Sequence, residues 1–194
     1  MSEVTNKTDL QNSNVSLGFW IYLMTDGMLF ASLFATFMVL RNNVAGNVSG
    51  AEIFSLPFVL TETILLLTSS FTCGLALLYA HRDKASAALK LLTLTGLLGL
   101  SFLGMEIHEF SALISEGHSW SNSAFLSSFF GLVGTHGLHI TVGLIWLRSL
   151  WSLISRKGFT KRSLQNLTLF SLFWHFLDII WICIFTIVYL VGVL

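Results

Sequence analysis

Five blocks of apolar residues, at 17–40, 56–80, 88–109, 124–150 and 164–193, take up most of a 194-residue chain. A bilayer hydrocarbon core about 30 Å thick needs roughly 20 residues of helix, and every block meets that length. The apolar residues are not spread along amphipathic stripes, as they would be on the helices of a soluble domain. The chain is therefore expected to be all-α: a polytopic membrane protein built as a bundle of five transmembrane helices. The first block is too long for the apolar core of a signal peptide and has no basic run before it, so it reads as a retained span.

Composition agrees. Only 10% of residues are charged and mean hydropathy is +0.78, whereas about a quarter of an average soluble chain is charged. A formal net charge of zero gives no reason to expect nucleic acid as a partner. Cys73 and Cys183 both fall inside apolar blocks, so neither a disulfide framework nor a thiolate zinc site is expected.

Short polar segments separate the blocks: RNNVAGNVSGAE (41–52), HRDK (81–84), HEFSALISEGHSWSNS (108–123) and SRKGFTKRS (155–163). Pro57 is placed at a helix start, where its missing N–H costs nothing. No linker is long enough to divide domains. Residues 1–16 are expected to be a polar cytoplasmic tail and residues 17–194 one transmembrane domain. No internal repeat of the kind that builds many transporters is visible.

Positive charge sets the direction. Lys7, Arg82, Lys84, Lys90, Arg148, Arg156, Lys157, Lys161 and Arg162 share one side of a five-span chain, and Arg41 alone takes the other. The N-terminus is thus expected in the cytoplasm and the C-terminus in the periplasm, with Arg148 snorkelling toward the inner surface.

Ionisable groups inside the blocks carry the functional question. Asp26 is midway along the first span, Glu62 one to two turns into the second and Glu106 near the outer end of the third. His136 and His139 are mid-span in the fourth, and His175 and Asp178 in the fifth. A mid-span aspartate costs about 2.5–3.5 kcal/mol on insertion scales, so none should face lipid. His175 and Asp178 share a helix face at i, i+3, on a weak polar seam with Ser171 and Tyr189. Ser128, Gly131, Thr135, His139 and Gly143 form a second seam, and Gly96, Gly99 and Gly104 invite close approach in the third span.

Three roles compete for these groups. His136-Gly-Leu-His139, with His175 and either Asp178 or Glu106, could in principle ligate a metal, but the HExxH spacing of a zinc protease is missing. A proton relay needs polar groups from surface to surface, and the inner half offers little beyond Tyr22 and hydroxyls. Polar contacts at helix or subunit interfaces are the default. No phosphate loop, nucleophilic triad or soluble catalytic lobe is present.

The motifs carry a resemblance. FWHFLDIIWICIFTIVYL (173–190) resembles the last helix of subunit III of haem–copper respiratory oxidases, GTHGLHITVGLIW (134–146) the helix before it, and FLGMEIHEF (102–110) the end of the one before that. FWIYLMTDGMLFASLFATF (19–37) is similar to the helix that carries the family's intramembrane carboxylate, with Asp26 at that position, and LPFVLTETILLLTSS (56–70) to the next. Five spans instead of seven match the quinol-oxidising, bo-type branch, in which subunit I is understood to supply the two missing helices. The donor implied is ubiquinol, with menaquinol and cytochrome c as alternatives.

The resemblance implies a non-catalytic subunit of a proton-pumping terminal oxidase in the bacterial inner membrane. It implies subunits I, II and IV as partners, haem and copper in subunit I with none in this chain, and phospholipid held between helices. Asp26, Glu62, Glu106, His136, His139, His175 and Asp178 are then buried polar structural or interface residues, with no catalytic or metal-binding residue among them. His175 and Asp178 are expected to serve as each other's hydrogen-bond partner. The alternative from another class is a free-standing proton-coupled carrier.

Overall fold

The computed structural model describes residues 2–41, 56–115 and 123–190. Five long helices run through them: α1 (Ser2–Leu40), α2 (Leu56–His81), α3 (Ala85–Ser115), α4 (Ala124–Lys157) and α5 (Lys161–Ile184), the last extended by a π-helical turn, Phe185–Leu190. All five are long and apolar enough to cross a membrane. Residues 42–52 of the first polar segment, 116–122 of the third and 191–193 of the fifth block lie outside the described residues.

Several helix ends differ from the apolar block boundaries. HEFSALIS (108–115), read from sequence as loop, continues α3, and SRK (155–157) continues α4. Hydropathy marks where lipid ends; backbone chemistry marks where a helix ends. Nothing in 108–115 breaks a helix, whereas Gly158, at φ 68°, closes α4 with its N–H on Ile154 O, a conformation that glycine adopts without penalty. Thr160 then opens α5 through a reciprocal capping box with Ser163, and Ser123 caps α4 by accepting from Leu126 N–H. Pro57 falls in the first turn of α2.

Several hydroxyl groups within the spans are satisfied locally. Thr25, Thr36, Thr61, Thr68 and Thr93 each donate to the carbonyl four residues back, so these residues can sit on apolar faces at little cost.

α2 and α3 form an antiparallel pair joined by a tight turn at Arg82–Lys84. α5 packs against α2 and α4, and α3 against α4. α1 is the peripheral helix, held mainly by α4 with a smaller contact to α5. At the centre lies Trp174 of α5. Its ring is wedged between α3 and α4 at two glycines: a Cβ on Gly99 would come within 2.9 Å of Cζ2, and one on Gly143 within 2.8 Å of Cζ3. Its Nε1 donates to Ser69 Oγ on α2 at 3.1 Å. One indole therefore touches three other helices. Gly104 and Gly131, on the same expected seams, face open space, whereas a Cβ on Gly96 would meet Leu147 Cδ2 at 3.2 Å and one on Gly137 would meet the Glu106 carboxyl.

Candidate functional site

The buried polar side chains gather in three places. The first joins α1 to α4. His139 Nε2 lies 3.1 Å from Asp26 Oδ1, with the aspartate 6% and the histidine 14% exposed. His139 Nδ1 lies 2.7 Å from Thr135 O. A carbonyl can only accept, so Nδ1 bears a proton. Nε2 and Oδ1 then meet at hydrogen-bond distance only if a second proton lies between them, on the ring or on the carboxyl. Either way the pair is electrically neutral, and this makes it tolerable at membrane depth.

The second place lies where α2 begins and α3 ends. Glu62 is 0% and Glu106 2% exposed, and both interact electrostatically with Glu109. Tyr189 OH donates to Glu109 Oε2 at 3.0 Å. Glu106 presses on α4 at Gly137, where a Cβ would meet its carboxyl carbon at 2.9 Å. His136 is fully buried beside it, stacked on Trp181 at 5.2 Å between centroids and edge-on to Phe102 at 5.9 Å. Trp181 in turn donates to Thr63 Oγ1 at 3.1 Å. Both oxygens of Glu62, Glu106 Oε2 and both nitrogens of His136 have no hydrogen-bond partner among the described residues.

The third place is the α2–α5 seam. His175 and Asp178 do share a face, but among the described residues no hydrogen bond joins them. His175 Nδ1 donates to Ser171 O at 2.6 Å, and among the described residues Asp178 Oδ1 is buried without a hydrogen bond, its carboxyl interacting electrostatically with Ser70 and His175. The expectation that each serves as the other's hydrogen-bond partner is thus corrected: a histidine in a helix reaches its own i−4 carbonyl more readily than a side chain three residues ahead. His81 and His139 make the same local bond.

Interhelical hydrogen bonds clip most packed neighbours together. Asp26–His139 ties α1 to α4, Thr72–Thr95 ties α2 to α3 at 2.8 Å, and Trp174–Ser69 and Trp181–Thr63 tie α5 to α2. Tyr189–Glu109 ties the end of α5 to α3, and Trp151–Thr93 ties α4 to α3 at 3.2 Å. Such bonds average about 0.6 kcal/mol each in membrane bundles. Their effect is to fix register.

The residues considered for a metal are not brought together. His139 turns to α1, His136 to Trp181 and His175 to the α2–α5 seam, and no group of three or more His, Cys, Asp or Glu among the described residues is arranged to hold an ion. Sequence reading missed Glu109, Tyr189's partner, because the third span was ended at that residue; its i, i+3 spacing from Glu106 was the available signal. It also missed Ser69, Thr72 and Thr95, since hydroxyls raise no alarm in an apolar run.

On the other side of α4 an apolar groove of about 530 Å³ runs between α3 and α4, lined among others by Leu92, Gly96, Leu100, Leu144, Arg148 and Trp151. Arg148 is exposed within it. Among the described residues the one contact within salt-bridge range is His139–Asp26, so none of their carboxylates reaches this guanidinium.

Residues 3–193 match the family model described as cytochrome c oxidase subunit III. The chain is 55% identical to the cytochrome bo(3) ubiquinol oxidase subunit 3 of Pseudomonas aeruginosa, over 93% of its own length and 87% of that protein's. It is 46% identical to the quinol oxidase subunit 3 of Bacillus subtilis, covering 91% and 86%. With the cytochrome c oxidase subunit 3 of Bacillus sp. PS3 it shares 42% identity, covering 94% and 88%.

Proposed function

The chain belongs to the cytochrome c oxidase subunit III family, and from that premise we propose that it is the non-catalytic subunit III of a terminal ubiquinol oxidase in the bacterial inner membrane. The observation that carries this is the 55% identity, over 93% of the chain, with a subunit of a cytochrome bo(3) ubiquinol oxidase. The complex would oxidise ubiquinol and reduce oxygen to water while moving protons. Relatives named as oxidase subunits give the free-standing carrier no support.

Haem and copper belong, in this reading, to subunit I. The donor set here does not fit them: one His139 nitrogen faces Thr135 O and the other Asp26, His175 Nδ1 faces Ser171 O, and His136 is sealed between aromatic rings. The work of this chain is mechanical and electrostatic. Its interhelical bonds hold a fixed surface against subunit I, beside subunits II and IV, and support proton uptake there. Asp26, Glu62, Glu106, His136, His139, His175 and Asp178 act as structural or interface groups. The orientation follows the positive-inside bias, with residues 1–16 as the cytoplasmic tail, continuous with α1, and residues 17–194 as one domain. A phospholipid suits the α3–α4 groove, its phosphate on Arg148 and its acyl chain along Leu92, Leu100 and Leu144.

The test is purification in mild detergent, read by visible spectroscopy. The chain should co-elute with haem absorbance and a large haem-bearing subunit. A homogeneous chain free of haem-bearing partners under those conditions would overturn the proposal.

A further inference from the structure

One histidine nitrogen at mid-depth has no partner among the described residues. His175 Nδ1 donates to Ser171 O at 2.6 Å, and in the neutral tautomer selected by that bond Nε2 carries a bare lone pair and can only accept. That nitrogen lies over Gly74 of α2, 3.7 Å from where a Cβ would stand. No hydrogen bond reaches it among the described residues, and the ring is only part-buried.

The other two rings locked by an i−4 carbonyl have an outlet. His139 Nε2 meets Asp26, and His81 is exposed at the end of α2, where water can serve. His175 has neither. It sits at the centre of the span Lys161–Leu190, about 20 Å from either end at 1.5 Å per residue. Lipid headgroups do not descend that far into a core about 30 Å thick, and acyl chains offer no donor. Its exposed neighbours are apolar: Ile179 and Ile182 on α5, Leu67 and Phe71 on α2. The face is therefore an apolar strip with one acceptor at its middle.

We propose that the α2–α5 seam at His175 is a docking surface for a transmembrane helix of another oxidase subunit. That helix sets a hydrogen-bond donor (a hydroxyl, an amide or indole N–H, or a cationic side chain) on His175 Nε2. The proposal rests on the reading of this chain as an oxidase subunit and names the face that reading leaves open. An acceptor in hydrocarbon is costly unless paired, and the complement is specific: a second acceptor would repel, and an apolar helix would leave the cost standing.

The test uses the whole complex in native membranes. A photo-activatable benzophenone residue is placed at Ile179 or Leu172, with Ile145 on the α3–α4 groove as control. Cross-links from 179 and 172, but not 145, should map to a membrane-spanning peptide of another subunit that contains a donor side chain. In parallel, His175→Gln keeps an acceptor at the Nε2 position and should hold the chain in the complex through gel filtration, whereas His175→Leu should lose it about fivefold faster. Cross-links confined to lipid or to a second copy of this chain would overturn the proposal, as would equal retention of the Leu and Gln variants. Loss of all other subunits from the unsubstituted chain would instead refute the subunit reading itself, so the two failures are separable. The cross-links form with His175 in place and do not depend on the substituted chain folding.

Discussion

Gly143→Ala is the sharpest test of the packing. The new methyl would stand 2.8 Å from Trp174 Cζ3, 3.1 Å from Cε3 and 3.2 Å from Phe173 Cε1, where ordinary contact begins near 3.5 Å. The indole cannot simply move aside, because its opposite edge is already against Gly99 and its N–H is fixed on Ser69. Relief requires α4 to shift or the tryptophan to leave its rotamer, an overpacking cost of about 1–3 kcal/mol. Gly131→Ala on the same helix meets nothing within 4 Å and should be neutral or gain up to about 1 kcal/mol from helix propensity. The assay is thermal denaturation in detergent, where about 2–4 °C per kcal/mol is expected for a chain of this size. Trp174→Leu, which removes the obstructing ring, should abolish most of the Gly143→Ala penalty in a double-mutant cycle, a coupling of about 1–3 kcal/mol. If the two alanine variants melt alike, or the penalty persists without the indole, the wedge is not what sets the α3–α4 distance.

Other expectations follow from the polar clips. Asp26→Asn keeps a donor for His139 Nε2 and should cost under about 1 kcal/mol, while Asp26→Leu leaves that nitrogen bare and should cost about 1–3 kcal/mol, read by the same melts; parity between them would count against the shared proton. Trp181→Phe retains the stack on His136 but frees Thr63, for a loss of about 0.5–1.5 kcal/mol; Thr63→Val in the Phe background should then add little. Asp178→Ala should lower the yield of assembled oxidase while haem absorbance per assembled enzyme stays unchanged, and normal assembly with lost haem signal would refute a purely structural role.

Much of this was legible in the sequence, and unevenly so. Apolar block length gave five helices because the requirement is crude: enough residues to cross. The mid-span location of Asp26 and His139 implied partners, yet their pairing across 113 residues of chain depends on α1 packing on α4, which no local pattern encodes. Gly99 and Gly143 were legible as places of close approach; that a tryptophan side chain, not a backbone, fills the space between them was not. The His175–Asp178 spacing misled because sharing a face says nothing of where a ring nitrogen finds its nearest carbonyl. The ends of α3 and α4 extend past the apolar blocks since polar residues such as Ser111 and Arg156 leave lipid without leaving the helix.

The Asp26–His139 clip also has a consequence for biosynthesis. Asp26 is made first and His139 follows 113 residues later, a delay of about 6–23 s at elongation rates of about 5–20 residues/s. Through that interval the nascent first span carries an aspartate whose eventual companion does not yet exist. It must wait near the translocon, or lean on another polypeptide, until the fourth span arrives to complete it.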